Sequence, residues 1–97
     1  MEFEWHPEKA RRNVVNHDVA FDLAVKVWDD PFHMLVFDRI ENGEPRWHAI
    51  GMVGPVLVLL VVHAYPDALD EDNVRVISAR KTTPQERKLY ERKRFHT

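Results

Sequence analysis

Phe32-His33-Met34-Leu35-Val36-Phe37-Asp38-Arg39-Ile40-Glu41-Asn42-Gly43-Glu44-Pro45-Arg46-Trp47-His48-Ala49-Ile50-Gly51-Met52 is the stretch that decides the fold. Its first part, Phe32 to Ile40, is rich in the apolar and aromatic residues that strands favour. Asn42-Gly43 then supplies the positive φ that a two-residue type I′ turn needs at both central positions. Arg46 to Met52 reads as the returning strand of an antiparallel hairpin. Gly54-Pro55 makes the next turn. Val56 to Ala64 is apolar at successive positions, which predicts a central strand covered on both faces. After the acidic loop Pro66 to Asp72, Val74 to Ala79 is a fourth consecutive strand.

Outside this block the periodicity changes. Phe3-Glu4-Trp5 alternates and predicts a short edge strand. Pro7 suits a first helical position, where its missing N–H has no partner to lose. Ala10, Val14 and His17 continue a helix over 7–17, and Asp18 breaks it. Phe21, Ala24, Val25 and Trp28 make an i, i+3, i+4, i+7 stripe, predicting a second helix over about 20–28 that Asp29-Asp30-Pro31 ends. Thr83-Pro84-Gln85-Glu86 is a capping box with proline at the first helical position. A helix over about 83–95 follows, with Arg87, Tyr90 and Arg94 on one face and its cations toward the C-terminus, where the helix dipole favours them. The order β-α-α-β-β-β-β-α predicts one α+β domain over residues 1–97. It has a mainly antiparallel sheet, two N-terminal helices and one C-terminal helix.

Composition narrows the function classes. The chain has 97 residues, no cysteine and three glycines, so it has no disulfide framework, no thiolate metal site and none of the glycine-rich phosphate or dinucleotide loops. Met1-Glu2-Phe3-Glu4-Trp5 lacks the basic and apolar regions of a signal peptide. The longest apolar run, Val56 to Val62, is far shorter than the about 20 residues of a membrane helix. A soluble, cytoplasmic protein is expected. The net charge of −2 is unevenly spread: residues 1–74 carry 6 basic and 14 acidic side chains, a balance of −8, and residues 75–97 carry 8 basic and 2 acidic, a balance of +6. Such a basic end suits a polyanion or an acidic partner, or forms a solvated helix face.

The six histidines, His6, His17, His33, His48, His63 and His96, show no ligand spacing, and no metal or other cofactor is expected. Ser78, the only serine, lies in an apolar strand without a nucleophile motif. Cations and imidazoles on strands remain. Arg46 and His48 share a strand face by alternation. His63 ends the central strand and Arg80 ends the next, where Arg80 either faces a ligand or pairs with Glu86. Such a set permits RNA cleavage. A base takes the ribose 2′-OH proton, cations stabilise the phosphate charge, and an acid protonates the leaving 5′-oxygen. His63 is the first candidate for base or acid, because a polar imidazole in an apolar strand needs a reason. His48 is the second.

Three ordered blocks carry a resemblance. They are Phe3-Glu4-Trp5-His6-Pro7-Glu8-Lys9-Ala10 with Asn13 and His17 to Phe21, then Arg46-Trp47-His48-Ala49-Ile50-Gly51, then Val74 to Lys81 followed by Glu86-Arg87 and Tyr90. Together they resemble the BrnT toxin family over about residues 3–91. The resemblance implies a RelE-like fold and a ribonuclease that halts translation. It also implies a ribbon-helix-helix antitoxin partner, BrnA, that represses the operon and so touches DNA. By motif it carries over Lys9, Arg46, Arg75, Arg80, Glu86, Arg87 and Tyr90. The resulting expectation assigns catalysis to Arg46, His63, Arg80 and Tyr90. RNA binding falls to Lys9, Arg75, Lys81 and Arg87, with Thr83 and Glu86 as structural support. The antitoxin, in a 2:2 complex, is expected over Arg75, Lys81 and Arg87.

The chain departs from the family pattern at His6, usually Asp, at Asp18, usually Gly, and after His63, where Ala64-Tyr65-Pro66 replaces a threonine and a cation. The missing cation implies weaker phosphate binding. The alternative reading is a non-catalytic module that acts as co-repressor in complex with a DNA-binding protein.

Overall fold

The computed structural model describes residues 1–95. His96 lies outside the described residues. The elements are β1 (Glu2–Glu4), α1 (Pro7–His17), α2 (Phe21–Ala24) running into a 3₁₀ helix (Val25–Asp29), β2 (Met34–Glu41), β3 (Glu44–Val53), β4 (Leu57–Ala64), β5 (Asn73–Lys81) and α3 (Pro84–Phe95). The five strands form one sheet in the order β1-β5-β4-β3-β2. All neighbours are antiparallel except β1 and β5. This is the α+β arrangement that the strand block predicts. Asn42 and Gly43 have φ of 52° and 78°, as a type I′ turn requires.

The second helix differs from its reading. Only Phe21–Ala24 is α-helical, and the chain then tightens into 3₁₀ geometry. The tightening replaces the 3.6-residue stripe by a three-residue one. Phe21, Ala24, Val27 and Asp30 are the buried positions, while Val25 and Trp28 are only partly covered. Gly51 of β3 sits beneath this turn. A Cβ there would lie 2.8 Å from Val27 Cγ1 and 3.1 Å from the Val27 carbonyl oxygen, so the close approach requires glycine.

The sheet has two unlike faces. The first carries Ala49, Val53, Leu59, Val61, Val76 and Ala79 and is closed by Val19, Phe21, Ala24 and Val27. The second carries Ile50, Val58 and Leu60 under Tyr90 of α3, with Met34, Met52 and Val62 at the margin. α3 covers only that part, so the rest of the second face is open.

Two side chains finish sheet edges that have no neighbouring strand. Asn13 of α1 donates to the Ala79 carbonyl at 2.9 Å and accepts from the Ala79 N–H at 3.0 Å, while also donating to the Val19 carbonyl. Asp30 accepts from the Met52 N–H at 2.8 Å, beyond the start of β2. Both side chains are buried, and their bonds supply what a missing strand would have supplied.

Candidate functional site

Register places the open-face residues in rows. Across β3, β4 and β5 the pairings align His48 with Val62 and Ser78, and Ile50 with Leu60 and Arg80, while Ala64 pairs with Arg75 and Arg46 stands two residues before His48 on β3. Residues opposite one another in an antiparallel pair point to the same side. Arg46, His48, Arg75 and Arg80 therefore share the face that α3 leaves partly open. Two β-bulges shape its margins. Asp38 is the extra residue between the Phe37–Trp47 and Arg39–Arg46 pairs, and Ile77 is the extra residue between the Ser78–Val62 and Val76–His63 pairs. Bulges re-aim side chains, and Asp38 Oδ2 lies 3.3 Å from His48 Nε2. Arg46 is largely covered, its side chain 14% exposed. It lies 3.2 Å from Glu41 and 3.3 Å from Glu44, and Glu44 also pairs with Arg75. The buried Arg46 Nε makes no hydrogen bond of proper geometry.

The capping box forms as the sequence predicts. Thr83 N–H donates to Glu86 Oε1 at 2.8 Å and Glu86 N–H donates to Thr83 Oγ1 at 3.2 Å. Arg80 adds a bidentate contact to the same carboxylate, at 2.8 and 3.0 Å. The Arg80 hydrogen bonds hold the Glu86 carboxyl down at about 2 against partial burial, with the Thr83 N–H assisting. The structural reading of Arg80 is thus met: its fork ties the end of β5 to the start of α3.

Two expected reacting residues are corrected. His63 is 0% exposed and lies on the first face. Its Nδ1 is 3.1 Å from the Val61 carbonyl, its Nε2 is 3.3 Å from the Tyr65 hydroxyl, and its ring meets Trp28 edge-on at 4.9 Å. Burial pushes its pKa down to about 4. The polar imidazole finds local hydrogen-bond partners beneath the covering layer. Tyr90 is also 0% exposed. Its hydroxyl donates to Asp30 and accepts from Arg94 at 2.7 Å, locking α3 to the chain before β2. Burial and then the Asp30 carboxylate raise its pKa. Burial opposes the charge on Asp30, but the Met52 N–H, the Tyr90 hydroxyl, the Phe32 N–H and the Arg94 charge together hold its carboxyl below the ordinary range. The sequence reading treats Asp30 only as a helix terminator. Nothing in its local spacing signals partners 22 and 60 residues away.

The remaining expected residues divide. Lys81 and Arg87 meet beside Leu57, Val58 and Pro84, with an Arg87 nitrogen donating to the Val56 carbonyl at 2.8 Å. Arg75 is six residues along β5 from Lys81, on the order of 20 Å away, so these three do not form one patch. Lys9 is exposed on α1 and lines a separate recess at the β5 edge. Among the described residues, no three His, Asp or Glu side chains converge to hold a metal ion.

The family model described as ribonuclease toxin, BrnT, of type II toxin-antitoxin system matches residues 5–86. The chain belongs to the BrnT family. The crystal structure of the Brucella abortus ribonuclease toxin BrnT superposes with a TM-score of 0.61 at 21% identity, covering 86% of this chain and 97% of that one. That likeness carries the fold. No curated protein shows significant sequence similarity to the chain. His6 and Asp18, the two positions singled out in the sequence, cap the two ends of α1. His6 Nδ1 accepts from the Glu8 N–H as a helix N-cap, and Asp18 takes the left-handed C-cap conformation with φ of 57°.

Proposed function

We propose that this BrnT-family chain is a metal-independent endoribonuclease whose working surface is the open face of the sheet. His48 acts as general base and Arg46 as the main phosphate cation. The observation that carries this reading is that Arg46 and His48 stand two residues apart on one face of β3, with Asp38 against the far nitrogen of the imidazole. A carboxylate beside Nε2 favours the tautomer protonated there and leaves Nδ1 to accept a proton. His48 then takes the 2′-OH proton, the 2′-oxygen attacks the adjacent phosphorus, and the 5′-oxygen leaves with a proton from water at this half-open face. The products are a 2′,3′-cyclic phosphate and a 5′-hydroxyl. Arg46 and Arg75 offer donors to the phosphate oxygens as charge builds on them. Arg80 acts by holding α3 in place.

In the cell the reading makes the chain a translation inhibitor, neutralised by a BrnA-like ribbon-helix-helix antitoxin in a 2:2 complex that carries the DNA-binding function. Expression alone should stop growth and protein synthesis, and co-expression of the antitoxin should relieve both. Purified protein with RNA and a chelator should give cyclic-phosphate ends. Soluble, folded protein that leaves RNA intact would remove the nuclease reading. One observation favours the second reading, a non-catalytic co-repressor: Arg39, Arg46, Arg75 and Arg80 all have carboxylate partners already. Intact RNA together with antitoxin-dependent operator binding is the result that reading requires.

A further inference from the structure

The arginines of the open face are paired to carboxylates, but two cations nearby are not. Lys9 and Arg12 of α1 have neither an ion pair nor a hydrogen-bond partner among the described residues. Glu8, the acidic residue beside them, is turned to Arg11. Lys9 and Arg12 line a recess of about 200 Å³ together with Asn13, Asn16, His17, Ile77 and Ser78. The recess exists because β1 pairs only with residues 73–75 of β5, leaving the strand edge beyond to be met by a helix. Asn13 is spent on that edge through Ala79, so Asn16 and His17 supply the remaining polar lining. Ile77, the extra residue of the β4–β5 bulge, lines the same recess.

The recess continues the His48 row. His48, Val62 and Ser78 stand opposite one another across β3, β4 and β5, and Ser78 is where that row reaches the recess. Two strand spacings separate His48 from Ser78, about 10 Å. We propose that this recess is a second phosphodiester subsite for single-stranded RNA, in which Lys9 and Arg12 hold a backbone phosphate next to the one cleaved at His48. The inference rests on the nuclease reading above and adds where the flanking RNA lies. Unpaired cations contribute most to phosphate affinity, since no carboxylate must be displaced and counterions are released from the RNA alone. Arg12 grips the phosphate with its fork, Lys9 adds a point charge, and Asn16 and His17 face the adjoining ribose.

The test uses a short single-stranded RNA methylated at its 2′-oxygens, which binds but cannot react. Affinity is measured across a salt series for the wild-type chain and for Lys9→Gln/Arg12→Gln. Losing the one phosphate that both cations neutralise should flatten the slope of log affinity against log salt by about 0.7 and weaken low-salt binding roughly tenfold. With cleavable RNA the same variant should raise KM and leave kcat unchanged. Lys26→Gln, on the exposed 3₁₀ helix, should leave the slope unchanged. An unchanged slope in the double variant overturns the subsite. So does weakened antitoxin binding with RNA affinity intact, which would make the recess a protein interface. Wild-type protein that binds the methylated RNA with the predicted slope but cleaves nothing keeps the subsite and removes the nuclease reading. Wild-type protein that binds no RNA removes both.

Discussion

His48 and His63 sit on adjacent strands one residue pair apart, yet the sheet gives them opposite environments. Trp47 stands opposite His63, so His63 faces the closed side and His48 the open one. His63 is sealed beneath Trp28 with both ring nitrogens near oxygen atoms of its own strand and of Tyr65. His48 is 23% exposed at its side chain and has a carboxylate beside it. The closed face spends its polar groups on stability, and the open face keeps them within reach of a ligand. An imidazole in an apolar strand is therefore no sign of catalysis by itself. The parity of its position decides what it can touch.

The comparison breaks first at Arg46. Arg46→Ala should lower RNA cleavage by about 100- to 1000-fold, the usual loss for one preorganised donor to transition-state charge. Its melting curve should change little, since its partners Glu41 and Glu44 reach solvent. Single-turnover cleavage beside thermal melting reads both, and a folded variant at full rate would transfer the role elsewhere.

The closed face should show itself in stability against pH. The His63 pKa falls from 6.5 unfolded to about 4 folded, so between these values the unfolded chain binds more protons. Its contribution is fully present above about pH 6.5, is lost as pH falls toward 4, and then levels. Its size is on the order of 3 kcal/mol. Urea unfolding across that window should show the slope, and His63→Gln should flatten it. An equally steep slope in the variant would show that other groups carry it.

Gly51→Ala sharpens the packing side of the same comparison. The added methyl meets Val27 at the distance where something must shift, and overpacking of this kind costs about 1–3 kcal/mol. A variant as stable as wild type would mean that the 3₁₀ turn is free to lift. Asp18→Gly gives the smallest effect, a gain of about 1 kcal/mol, because glycine adopts the left-handed cap without strain. Chemical denaturation measures it, and a loss of stability would assign the Asp18 side chain an interaction of its own.

Much of the fold was legible because it rests on local signals. The Asn42-Gly43 turn, the capping box at Thr83 and the strand alternation each depend on neighbours within a few residues. Arg46 and His48 were readable as a pair for the same reason, since alternation alone puts them on one face. The misreadings share the opposite cause. The 3₁₀ tightening at Val25 answers to the close approach over Gly51, and the burial of Tyr90 answers to Asp30, far away in sequence. His63 is singled out by residue type and Tyr90 by the family motif, but exposure depends on which layer covers which face. The bulges at Asp38 and Ile77 leave no compositional mark, although they shape the open face.

The central claim is that chemistry belongs to the open face, and the two histidines decide it. Single-turnover cleavage of one RNA is to be measured for His48→Ala and His63→Gln, each normalised to folded protein by its near-ultraviolet circular dichroism. General-base loss should slow His48→Ala by about 100- to 10,000-fold, while His63→Gln stays within about threefold of wild type. A large loss in folded His63→Gln with His48→Ala near the wild-type rate would contradict the account.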